Sequence, residues 1–110
     1  MKKHTKIYMD FFGYGIEDFM PSELSRDRAV DINHIDCKGM GGSKEKDFIE
    51  NFIALTRPEH IKFGDKKEFM VYLYVEHLKF IQNKRPDYHI QFGRIPEAYR
   101  NEVISKLVIF

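Results

Sequence analysis

A single cysteine, Cys37, stands in the 110 residues, so no disulfide can form within the chain. That composition fits a reducing, cytoplasmic setting. No run approaches the roughly 20 apolar residues that a membrane span requires. The opening Met-Lys-Lys-His-Thr-Lys also lacks the apolar centre of a signal peptide. Charge of one sign is absent too: 18 basic against 17 acidic residues give a net charge of +1. That balance argues against binding nucleic acid through bulk charge alone, and any basic patch must be local. What remains is 43% hydrophobic and 15% aromatic, an ordinary composition for one domain with one modest core. No repeat, low-complexity tract or linker divides the chain.

Residues 6–12 are apolar and aromatic, and the expectation is a short helix ended by Gly13 and Gly15. Residues 22–28 are polar and turn-like. Residues 29–35 read as a strand, with Val30, Ile32 and His34 sharing one face under period-two alternation. Residues 37–50 form a loop in which Gly39, Gly41 and Gly42 supply conformational freedom. Residues 52–55 are the partner strand. A helix over 57–63 follows, with Thr56 as N-cap, Pro58 tolerated in the first turn and Gly64 as its stop. The acid-x-x-Glu spacing of Asp65 and Glu68 predicts a capping box opening a second helix that runs to about Asn83. Phe69, Leu73 and Phe80, with Tyr72 and Val75 nearby, give that helix an apolar side. Pro86 prevents its continuation. A third helix is expected from Pro96 to about Leu107, with Tyr99, Val103 and Leu107 at four-residue intervals.

One constellation carries chemistry. Asp31-Ile32-Asn33-His34-Ile35 is followed by Gly41-Gly42, by Asn51 and, nine residues on, by His60. Over residues 21–60 this resembles the signature of the HNH endonucleases. The resemblance implies an α+β chain: a ββα-metal core at about 21–64, extended by C-terminal helices at about 65–110. It implies metal-dependent hydrolysis of phosphodiester bonds in DNA first, with RNA as the alternative. His34 would be the general base, since an imidazole can take a proton near neutral pH. Asn33 and His60 would ligate a divalent cation, Mg²⁺ or else Mn²⁺, with Asp31 either a ligand or orienting one. Asn51 would brace the hairpin behind His34, its amide both donating and accepting. The compact chain without a recognition domain gives an impression of phage or mobile-element origin. Sequence preference and oligomeric state are not legible.

Bland readings stand beside these. A lone histidine is more often structural than catalytic, and His4, His77 and His89 match nothing in the pattern. The glycines can serve the backbone alone. Lys38, Lys44, Arg57 and Lys62, with Lys46, flank the signature and are placed to meet a nucleic-acid backbone. Asp36, Glu45, Asp47 and Glu50 lie among them, as on any solvated surface.

The chain also departs from the family pattern. Many relatives hold a structural zinc with two Cys-x-x-Cys pairs, whose slots fall here on Ser22 and Ser25 and on Thr56 and Glu59. No structural zinc is expected, because none of these supplies a thiolate. Gly64 occupies the place of a further family histidine, and Asn33 is a neutral ligand. These departures favour the competing expectation of a degenerate module that binds nucleic acid or a protein without cutting.

Overall fold

In the computed structural model, which describes residues 2–36 and 46–108, four helices surround a two-stranded antiparallel sheet. The chain is thus α+β. Helix α1, Lys3–Phe12, starts three residues earlier than the apolar run suggests. Its packed face carries Tyr8, fully buried, with Ile7, Phe11 and Phe12 against the same core. Gly13 ends it in the left-handed region (φ 76°), where a side chain would be strained.

The segment read as a polar turn is one, with residues 23–25 turning and 25–28 exposed, but its first two side chains go inward. Ser22 is wholly buried and Glu23 nearly so. Burial is tolerated because both are satisfied: Glu23 accepts from Tyr8 Oη at 2.5 Å and meets His77 Nδ1 at 2.8 Å, while His77 Nε2 bonds the Ile49 carbonyl at 2.6 Å. Pro21 and Arg28 close this turn as an isolated bridge.

Strand β1, Asp31–His34, pairs with β2, Phe52–Leu55, in the register Asp31 to Leu55 and His34 to Phe52. All four residues of β2 are buried, with α1 and α3 packed around the sheet. Full burial of Phe52, Ile53 and Leu55 contributes about 1.5–3 kcal/mol each. Val30 does not share the buried face with Ile32; it precedes the strand and is 55% exposed. Its N–H still bonds the Leu55 carbonyl, so the sheet gains a backbone link without gaining a core residue.

Helix α2 spans Arg57–Phe63, with Pro58 in its first turn. Thr56 and Glu59 form a reciprocal capping box. The expected box at Asp65 and Glu68 does not form. Asp65 sits in the left-handed region (φ 59°), a 3-10 turn covers Lys67–Phe69, and helix α3 begins only at Met70, running to Lys84 without a side-chain cap. Lys66 explains the delay, since its ammonium binds the terminal α2 carbonyls of Ile61 and Lys62 at 2.9 and 3.0 Å. Lys66 thus finishes one helix, while Lys67–Phe69 lead into the next. Leu73, Val75 and Phe80 of α3 are buried, whereas Tyr72 is 43% exposed. Helix α4, Glu97–Val108, packs on α3 through Val103 and Leu107. The α3–α4 connection is anchored by buried Glu50, which accepts from Tyr88 Oη (2.6 Å), Gln91 N (2.9 Å) and Arg94 Nη1 (3.2 Å).

Candidate active site

Strand alternation puts Asp31 and Asn33 on one side of β1, facing α2. They line a cleft of about 510 Å³ together with His60 and Arg57 of α2 and with Lys2, His4 and Thr5 at the start of α1. His60 Nδ1 lies 3.8 Å from Asp31 Oδ2, within reach of an ion pair but too long for a hydrogen bond. Two buried side-chain polar atoms lack a hydrogen-bond partner among the described residues: Asn33 Nδ2 and His60 Nδ1. Both belong to the cleft. Rotating the Asn33 amide by a half-turn would present its oxygen in place of the nitrogen.

This set tests the fit of a cation. Two donors each roughly 2.1 Å from one ion lie about 3–4 Å apart, a range that includes the Asp31–His60 separation. An orphaned imidazole nitrogen, a neighbouring carboxylate and an amide oxygen make a sparse but chemically suitable set. Among the described residues no group of three or more His, Cys, Asp or Glu side chains is arranged to hold a metal, and a third donor to a cation held by Asp31 and His60 would have to be the neutral Asn33.

His34 is not among the residues lining this cleft, so the two imidazoles of the signature do not face one cavity. It packs against His4, whose ring centre is 4.7 Å from its own. Phe52 meets the His34 ring edge-on at 5.1 Å, and His34 Nε2 bonds Asp47 Oδ1 at 2.8 Å. With Nε2 engaged, Nδ1 is the nitrogen left to accept a proton. Burial lowers the His4 pKa below its ordinary value, helped by the nearness of His34 and Lys2, against weaker pulls from the Ile32 carbonyl and Asp47.

Asn51 is wholly buried and uses its entire amide. Its Oδ1 accepts from Asp36 N at 2.8 Å and Tyr74 Oη at 3.0 Å; its Nδ2 donates to the carbonyls of Asp36 and Lys46 at 3.1 and 3.0 Å. The side chain therefore ties together the two ends of the β1–β2 connection, two residues beyond His34.

The four slots read for structural cysteines also come together. Ser22 Oγ donates to Glu59 Oε1 at 2.6 Å and accepts from the N–H groups of Leu24 and Ser25, while the Thr56 N–H donates to the same Glu59 oxygen at 2.9 Å. Hydrogen bonds join the turn before β1 to the start of the helix carrying His60. Burial alone would raise the Glu59 pKa, but bonds from Ser22, Thr56 and Ser25 outweigh it and hold it below the ordinary value. Gly64 has its own reason to lack a side chain: a Cβ there would stand 2.6 Å from the His60 carbonyl and 2.9 Å from its ring.

Of the basic residues, Arg57 lines the cleft, and Lys62 lies with its ammonium 5.1 Å from the Phe63 ring centre. Lys46 pairs with Asp36 at 2.9 Å. Lys38, Lys44, Cys37 and the glycines at 39, 41 and 42 fall outside the described residues. Two residues at the site were missed in the sequence: Asp47, taken as surface charge, and His4. The signal for His4 was present, since His4, Tyr8 and Phe12 recur at four-residue intervals on the packed face of α1. No family model, curated protein or solved structure matches the chain. Among the described residues, no helix is long and apolar enough to cross a membrane.

Proposed function

We propose that the chain is a metal-dependent endonuclease of the HNH type, hydrolysing phosphodiester bonds in DNA. The observation carrying this reading is that the orphaned polar atoms of Asn33 and His60 share one cleft with Asp31. Asp31, Asn33 and His60 would hold a divalent cation, Mg²⁺ or Mn²⁺, which as a Lewis acid supplies charge stabilisation at the phosphate and the departing 3′ oxygen. His34 takes the proton of the attacking water at Nδ1, which requires that water at the margin of the cleft beside His4. Asp47 holds Nε2–H and stabilises the imidazolium that forms. Asn51 fixes the backbone just beyond His34, and Arg57 offers the phosphate a counter-charge.

A second reading is favoured by the thinness of the donor set, which holds one carboxylate, one imidazole and one neutral amide. On that reading the scaffold binds nucleic acid or a protein without cutting. Incubating plasmid and single-stranded substrates with Mg²⁺ or Mn²⁺, parent beside His34→Ala, separates the two. The expected result is cleavage that falls about 10²–10⁴-fold in the variant. No cutting of DNA or RNA over a range of divalent metals would move the assignment to the binding module. Equal cutting by His34→Ala would remove His34 from the role of base.

A further inference from the structure

We infer that His4, in the first turn of α1, is a positioning residue for His34, holding that ring in the orientation that leaves Nδ1 available. The inference rests on the hydrolase reading for its effect on rate, but not for its geometry.

A ring held by one hydrogen bond can still swing about it. The Asp47 bond alone therefore fixes one atom of His34 and not its plane. Two further contacts remove that freedom. Phe52 is fully buried in β2, and its ring stands at 83° to that of His34. His4 packs at 56° to His34, and its ring centre is also 5.8 Å from Phe52, so the three rings touch as a set. The His4 end of this set is itself anchored, because Tyr8, one turn further along α1, is buried and bonded to Glu23. A chain of contacts thus runs from the core through α1 to the plane of the His34 ring. Rigid support of this kind is what places a reacting group within the tolerance that rate enhancement needs.

An imidazole suits position 4 because it must do two things. One side packs against rings, and the same residue lines the polar cleft beside Lys2 and Asp31. The packing requires only a flat ring. His4→Phe should therefore preserve the orientation of His34, whereas His4→Ala and His4→Gln, which lack a ring, should release it.

The test combines NOE contacts of the His34 ring protons with cleavage kinetics on the full chain. In the parent and in His4→Phe, those protons should show strong NOEs to the Phe52 ring, as one fixed orientation requires. In His4→Ala and His4→Gln these NOEs should weaken as the ring swings about its Asp47 bond. In those two variants kcat should fall on the order of 10–100-fold with KM nearly unchanged, while His4→Phe stays close to the parent. Parent-like His34 spectra in both ringless variants would overturn the inference. So would a His4→Phe variant as slow as His4→Ala with its His34–Phe52 NOEs intact, since His4 would then act on substrate directly. If the parent cuts nothing, the hydrolase reading fails, and the NMR comparison alone decides whether His4 positions His34.

Discussion

Ser22 and Glu59, thirty-seven residues apart in the chain, are joined by a 2.6 Å hydrogen bond whose donor is wholly buried. The bond fastens the turn before β1 to the first turn of α2, and the residue after Glu59 is His60. One side of the cleft is therefore held by hydrogen bonds that run from the turn to the helix carrying His60.

Removing that donor tests how much the fastening contributes. Ser22→Ala should destabilise the fold by about 1–3 kcal/mol, the range for a buried hydrogen bond to a charged group. Because the folded Glu59 carboxyl lies below its ordinary value of 4.5, its stabilisation is present above that value and is lost as pH falls through the folded pKa. Urea midpoints measured from pH 7 down to pH 3 should fall less steeply for Glu59→Gln than for the parent.

The buried His77–Glu23 pair should act in the opposite direction. Burial by itself lowers the His77 pKa, but the Glu23 carboxylate and the Ile49 carbonyl outweigh it, and the net shift is upward from 6.5. Its contribution is then complete below pH 6.5 and lost as pH rises through the folded value. Denaturant midpoints between pH 6 and pH 9 should decline in the parent, and His77→Gln should lose that dependence.

Cation binding is expected to follow the three cleft donors. Titration with Mn²⁺, followed by paramagnetic broadening, should show His60→Ala weakened by at least the 10–100-fold that even outer-shell changes can cause. Asn33→Asp should bind Mg²⁺ more tightly, because hard cations favour charged oxygen. Gly64→Ala should weaken binding without touching a ligand, since the new Cβ displaces the backbone and ring of His60.

Asn51→Asp keeps an acceptor for Asp36 N and Tyr74 Oη but loses both donated bonds. With two carbonyls deprived of their donor, it should cost about 2–4 kcal/mol. Thermal denaturation checks this directly.

The parts of the fold legible in the sequence were those with local punctuation. Strand β2 is a four-residue apolar run, and α2 is bracketed by Thr56, Pro58, Glu59 and Gly64; both have the bounds expected of them. The start of α3 misled because Asp65 and Glu68 carry the right spacing while Lys66 is committed to the preceding helix. The burial of Ser22 and Glu23 was invisible for a different reason. Their partners Glu59, Tyr8 and His77 lie 37, 15 and 54 residues away, so no local pattern announces them. At the site, β1 spacing brought Asp31 and Asn33 to one face, but only the packing of α1 reveals that His4 lines the cleft and lies against His34.

The amide of Asn51 has one more consequence. By clasping Asp36 to Lys46 it shuts the β1–β2 hairpin at the root rather than at the tip. The pairing of Asp31 with Leu55 and of His34 with Phe52 is then held from outside the ladder as well as within it, so a four-residue ribbon keeps its register with a single buried amide as its rivet.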